Sequence, residues 1–191
     1  MRKILISLLL FIIVIGLGNS GGTAYEGYVT HLPLVTRDNN HWLGPDGGRP
    51  VSLAIDPANP ATVYAGSWGA GMYKSLDSGA TWFQINQGLD NMYINSLAID
   101  PTQPQVLYAG TYHNQVYKST DGGQSWFWSG SGMQVEAIVY TIAIDRQNTN
   151  NLFAGTRGIS NAGKPPWNGV LYKSTNAGQT WTAVLQNVGG L

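Results

Sequence analysis

A chain of 191 residues is long enough for one domain with a substantial core, and its lack of cysteine excludes disulfides and thiolate metal sites. Ten basic residues balance ten acidic ones, so the positive surplus of a nucleic-acid binder is missing and no nucleic-acid partner is expected. Charged residues reach only 10% against 11% aromatics and 25 glycines, a balance that favours an all-β chain rich in turns over a helical one.

The chain opens with Arg2 and Lys3, an apolar run from Ile4 to Leu17, and small or polar residues through Ala24. Residues 1–24 therefore read as a secretory signal, with a cleavage site at Gly22-Thr23-Ala24. The apolar run is shorter than the roughly 20 residues of a membrane span, so no stable membrane insertion of the mature chain is expected. The protein is then secreted or extracytoplasmic, or held at the cell surface if the signal is retained as an anchor. Residues 25–40 form an extended lead-in, which Pro33 confines to an edge strand or a linker.

From residue 41 to 191 the chain repeats itself. Ser75-Leu76-Asp77-Ser78-Gly79-Ala80-Thr81-Trp82 returns as Ser119-Thr120-Asp121-Gly122-Gly123-Gln124-Ser125-Trp126 and as Ser174-Thr175-Asn176-Ala177-Gly178-Gln179-Thr180-Trp181. Each copy suits a tight hairpin tip: the Asp or Asn oxygen accepts from amides just ahead, and Gly supplies positive φ. Trp82, Trp126 and Trp181 then begin a returning strand and are expected in the core. Ahead of the tips lie Tyr73-Lys74-Ser75, Tyr117-Lys118-Ser119 and Tyr172-Lys173-Ser174, and upstream of those Tyr64-Ala65-Gly66, Tyr108-Ala109-Gly110 and Phe153-Ala154-Gly155. Ser52-Leu53-Ala54-Ile55-Asp56, Ser96-Leu97-Ala98-Ile99-Asp100 and Thr141-Ile142-Ala143-Ile144-Asp145 start the three units. A period of about 44 residues with four strand-like runs per unit points to propeller blades of four-stranded antiparallel meanders.

The blades are expected over about 51–85, 95–129 and 140–185, with last strands at Thr81–Ile85, Ser125–Ser129 and Thr180–Leu185. Lettering the four strands of a blade A to D, a meander puts the A–B and C–D turns on one rim and the B–C and D–A connections on the other. The repeated Asp turns thus form a scaffold rim. The variable rim holds Trp68, Tyr112, His113, the segment from Arg157 to Asn168, and the linkers around Tyr93 and Glu136. Three blades do not close a ring, so further blades or self-association are expected.

The Ser-x-Asp-x-Gly-x-Thr-Trp element resembles the Asp-box, or BNR repeat, of sialidase-like propellers. In this chain it comprises Ser75, Asp77, Gly79 and Trp82, then Ser119, Asp121, Gly123 and Trp126, then Ser174, Asn176, Gly178 and Trp181. With the other landmarks, the units resemble blades of sortilin-type domains, photosystem II assembly-factor-like propellers and xyloglucanase-type glycoside hydrolases. The resemblance covers Val51 to Trp181 and implies the fold, while many functions share that fold. Where xyloglucanase-type enzymes have an Asp after the "YA" strand of the first blade, this chain has Trp68, and no arginine cluster of the sialidase kind is present.

Five of the carboxylates, Asp56, Asp77, Asp100, Asp121 and Asp145, have turn roles. Asp90 and Glu136, in consecutive linkers on the variable rim, are the one pair that could flank a glycosidic bond. The three histidines lack metal-ligand spacing and no phosphate loop is present, so neither metal nor cofactor is expected. The expected ligand-binding residues are Trp68, Tyr112, His113, Arg157 and Trp167, whose flat side chains suit a sugar face or a peptide. The sequence thus reads as an exported, non-catalytic module for a polysaccharide or protein ligand. The alternatives are a xyloglucanase-like hydrolase fragment and a sortilin-like or photosystem-assembly-factor-like protein-interaction propeller.

Overall fold

The computed structural model describes residues 48–113, 115–157 and 169–186. The expected signal at 1–24, the lead-in at 25–40 and Trp167 lie outside the described residues. Among the described residues there is no helix, and the strands fall into three four-stranded antiparallel sheets. The first sheet holds β1 (Arg49–Ile55), β2 (Val63–Trp68), β3 (Gly71–Ser75) and β4 (Phe83–Gln84) in that order. The second holds β5 (Ile94–Ile99), β6 (Leu107–Thr111), β7 (Val116–Ser119) and β8 (Phe127–Trp128). The third holds β9 (Ile138–Ile144), β10 (Leu152–Arg157), β11 (Gly169–Ser174) and β12 (Thr182–Gln186). The fold is an all-β partial propeller with three blades, as the recurrence implied.

The last strands of the first two blades are shorter than expected, and in all three blades the last strand begins only after its Trp. The Trp126 amide donates to Gln87 O at 2.9 Å and the Trp181 amide to Ser131 O at 2.8 Å, each in the linker after the preceding blade. Own-sheet pairing starts at the residue after each Trp, with Phe83 opposite Lys74 and Phe127 opposite Lys118, and runs on to Ile85 N donating to Met72 O and Ser129 N to Val116 O. In the second and third blades the Trp that opens the expected last strand is therefore used to fasten its blade to the one before.

The first strand of every blade carries a register shift against the second, at Val51, Asn95 and Tyr140. One extra residue at a matching place in all three blades is a built feature that adds local twist. The glycine of each "AG" pair explains how the sheets approach. A Cβ on Gly66 would lie 2.6 Å from Ile94 Cγ2, and one on Gly110 would lie 2.6 Å from Val139 Cγ1. Only a residue without a side chain lets the next blade's first strand come so near.

The core is correspondingly two interblade layers. Tyr64, Met72, Ile85 and Leu89 pack with Ile94, Leu107, Tyr117 and Trp126 between the first and second blades. Tyr108, Val116 and Met133 pack with Val139, Ile142, Leu152, Tyr172 and Trp181 between the second and third. Trp126 and Trp181 are buried as expected. Trp82 is not: it is half-buried, and its indole N–H donates to Gly79 O of its own hairpin at 3.0 Å. The counterpart bonds run between blades, from Trp126 Nε1 to Ile85 O and from Trp181 Nε1 to Ser129 O, both at 2.7 Å. The core role of this Trp depends on a blade standing before it, and none among the described residues stands before the first.

Candidate functional site

The two rims separate by their hydrogen bonds. On the scaffold rim each tip closes on the A–B turn of its own blade, with Ser78 N donating to Ala61 O, Gly122 N to Gln105 O and Ala177 N to Asn150 O. Within the first tip, the Ser75 hydroxyl donates to Asp77 Oδ1 at 2.7 Å while its oxygen accepts from Gly79 N. Thr81 gives its amide to Asp77 Oδ1 and its hydroxyl to Oδ2 at 2.6 Å. The Thr81 hydroxyl and amide, then the Ser75 hydroxyl, hold the Asp77 carboxyl at about 2, below its usual range. Asp121 is lowered to about 2, chiefly by Ser125. Asn176 repeats the geometry without a charge, its Nδ2 donating to Thr180 Oγ1 at 2.9 Å and its Oδ1 accepting from Thr180 N.

The second and third tips are also gripped by the preceding blade. Lys74 Nζ donates to Gly122 O at 3.0 Å while standing 5.1 Å from the centroid of the Tyr64 ring. Lys118 Nζ and the Tyr108 hydroxyl both donate to Ala177 O, at 2.8 and 3.0 Å. Burial pushes the Tyr64 hydroxyl up to about 12, with Asp56 adding to it, and lowers the pKa of Lys118. Such tightly partnered groups make this rim scaffold. Asp56, Asp100 and Asp145 likewise accept from amides two and three residues ahead in their turns.

The opposite rim is held by linkers laid across loops. Gly69 N and Gly71 N both donate to Met92 O, Tyr112 N donates to Tyr93 O, and the Asn91 side-chain amide donates to Tyr112 O. This lattice assembles a cluster of rings. Trp68 meets Tyr93 and Tyr112 edge-on, with centroids 5.1 and 5.0 Å apart, and Tyr112 meets His113 edge-on at 4.1 Å. Trp68, Tyr112 and His113 are half-buried and Tyr93 is exposed. Interlocked aromatics that remain open to solvent present a stiff, amphipathic surface, a good stage for a ligand.

Beside the cluster opens a cleft of about 450 Å³ lined by His113, Asp90, Glu136, Tyr117 and Trp128. Tyr117 donates its hydroxyl to Asp90 Oδ2 at 3.4 Å. Gln115 braces the wall: its Nε2 donates to Gln134 O at 2.6 Å and its Oε1 accepts from the Trp128 indole at 2.8 Å. His113, Gln115 and Glu136 all have left-handed backbones, with φ of 76°, 62° and 60°. Three such non-glycine residues around one cleft concentrate strain where loops shape a surface.

The structure thus brings Trp68, Tyr112 and His113 together and sets Asp90 and Glu136 on one cleft. Arg157 ends β10 at the place equivalent to Trp68 and Tyr112, two blades on from the first and one from the second, and is half-buried. Reading the sequence for sites missed Tyr93 as a member of the cluster, and missed Gln115 and Trp128. The signal for Tyr93 was an aromatic in the linker facing two aromatic loops; Gln115 gave none.

The family model described as Sortilin, neurotensin receptor 3 (Sortilin-Vps10) matches residues 70–191. No curated protein matches the chain. Among solved structures, an ancestral GH74 enzyme is similar at 25% identity with a TM-score of 0.62, over 74% of this chain and 19% of that one. A structure of YCF48 bound to D1 peptide is similar at 19% identity with a TM-score of 0.54, over 74% of this chain and 42% of that one. This chain therefore spans less than half of either protein, and the second likeness speaks to the fold alone.

Proposed function

The chain belongs to the Sortilin-Vps10 family, and from that premise we propose that it is an exported, non-catalytic binding module that holds a protein segment or a glycan on its aromatic rim. The observation that carries this reading is the open cluster of Trp68, Tyr93, Tyr112 and His113, fixed by backbone bonds from two blades and one linker. A protein segment is the favoured ligand, since one structure of this fold is of YCF48 bound to D1 peptide. The basic start and apolar run of the sequence support export. The test is selection from a displayed peptide library alongside a panel of soluble β-glucans, with the wild-type chain and a Trp68→Ala/Tyr112→Ala double variant. Capture by the wild type and its loss in a folded double variant is the expected result; capture that persists undiminished removes the proposal.

A second reading is favoured by one observation, that Asp90 and Glu136 line the same cleft. Two carboxyl groups flanking a bond can act as acid and as base or nucleophile in glycoside hydrolysis. The similarity to a GH74 enzyme supports trying it. Turnover of a β-glucan that disappears in Asp90→Asn or Glu136→Gln would establish this reading, and a polysaccharide panel left intact by the wild type would remove it.

A further inference from the structure

The two interblade layers are built from equivalent residues, so they define what any blade-to-blade contact in this protein requires. The following blade contributes a first-strand face, its tip and its Trp. The preceding blade contributes an aromatic ring with a Lys above it, and a last-strand carbonyl that accepts from the Trp indole. Across the first layer these are Leu97, Ile99, Gly122 and Trp126 against Tyr64, Lys74 and Ile85. Across the second they are Ile142, Ile144, Ala177 and Trp181 against Tyr108, Lys118 and Ser129.

Each outer side of the three-blade stack carries one half of this contact. On the first blade, Leu53 and Ile55 stand where Ile142 and Ile144 stand on the third, yet Leu53 is 66% and Ile55 58% exposed against 8% for Ile142. Trp82, lacking a carbonyl on a preceding blade, bonds to its own hairpin instead. On the third blade, Lys173 stands 5.5 Å from the centroid of the Phe153 ring, just as Lys74 stands over Tyr64. Val184, whose carbonyl matches the acceptors of Ile85 and Ser129, is 50% exposed where those two are 8% and 6%. Apolar sheet faces left so open are docking surfaces rather than ordinary exterior.

We infer that a second copy of this chain docks head to tail, its first blade seated on the third blade of the first copy, and that the pair closes by making the same contact twice. Continuity with the two internal interfaces argues for this occupant: each copy carries both halves, so Trp82 of one copy would reach Val184 O of the other, and Lys173 would reach the tip carbonyl of Ser78. Because the contact joins two different surfaces it is heterologous, and such contacts close only when the rotations sum to a full turn. Two sets of the three described blades make six, within the four to eight of known propeller rings.

The test is the mass of the full chain by light scattering after size exclusion, across a concentration series. A dimer is expected. Leu53→Asp/Ile55→Asp spoils one surface and Val184→Asp the other; each variant is expected to be monomeric with wild-type circular dichroism. Both keep the N-terminal apolar run, so dimer loss reports on the blades and not on that run. Mixing the two variants restores one intact contact and is expected to recover a dimer at higher concentration. A wild-type monomer, an open-ended polymer, variants that still dimerise, or a mixture that stays monomeric would each overturn the head-to-tail pair.

Discussion

The indole N–H of Trp126 donates to the main-chain oxygen of Ile85 at 2.7 Å, so the side chain that opens one blade's last strand is bonded to the close of the blade before it. Trp181 repeats this with Ser129. Trp82 has the same sequence context and lacks the bond. One motif therefore has two energetic values within one chain.

Truncating Trp126 or Trp181 to Ala should cost about 3–5 kcal/mol, the range for removing a buried large aromatic. Trp82→Ala should cost clearly less, because that ring is half-buried and bonds within its own hairpin. Urea unfolding of the three variants at one protein concentration ranks them. Trp126→Phe isolates the indole bond and should lose about 1 kcal/mol beyond its packing change.

Asp77 and Asp121 should make the fold acid-sensitive in a defined window. Their folded-state pKa values, about 2, lie below those of the unfolded chain, so their contribution is complete above about pH 4. It declines as pH falls through 4 to 2 and is gone only below about pH 2, where both carboxyls are protonated in the fold as well. Asp77→Asn/Asp121→Asn should flatten that decline while retaining the tips, since Asn176 already fills the same geometry without titrating. Unfolding followed by fluorescence between pH 5 and 2 measures the slope; an unchanged slope in the double variant would contradict the assignment.

Gly88 and Gly79 share a left-handed backbone, with φ of 86° and 92°, but not a neighbourhood. A Cβ at Gly79 would meet the Trp82 ring at an ordinary 3.5 Å. At Gly88 it would be driven against the Trp126 carbonyl, with the carbonyl carbon 3.2 Å away. Gly79→Ala should thus cost about 1–2 kcal/mol, the backbone penalty alone. Gly88→Ala should cost more and also weaken the seating of Trp126, read as a red shift in its emission.

Tyr93→Ala should weaken rim binding as Trp68→Ala does, by roughly tenfold, if the ring cluster acts as one surface. The Gln115→Ala variant should alter binding only at the neighbouring cleft, where it releases Trp128. Titration with a peptide captured by the wild type, using each variant in turn, separates the two.

The repeating Asp tips, the blade count and the division into rims were legible because each follows from local chemistry recurring at fixed spacing. Asp77, Asp121 and Asn176 form their bonds within five residues, so their role was plain from the letters alone. The position of Trp82 was not, because burial of that ring is decided by the neighbouring blade and not by its own hairpin. The late start of the second blade's last strand was hidden for the same reason: Trp126 N finds Gln87, 39 positions away. On the variable rim, Trp68 and Tyr112 stood out as aromatics at matching loop positions. Gln115 is polar, lies in a turn, and has value only through Gln134 and Trp128, which nothing local connects to it.

The interblade grips described above all point the same way along the sequence. Ile85, Tyr64 and Lys74 come before the Trp126 and Gly122 they hold, and Ser129, Tyr108 and Lys118 come before Trp181 and Ala177. As the polypeptide is synthesised or threaded out amino end first, each new module therefore meets a finished cradle, and assembly can advance stepwise without waiting for the carboxyl end.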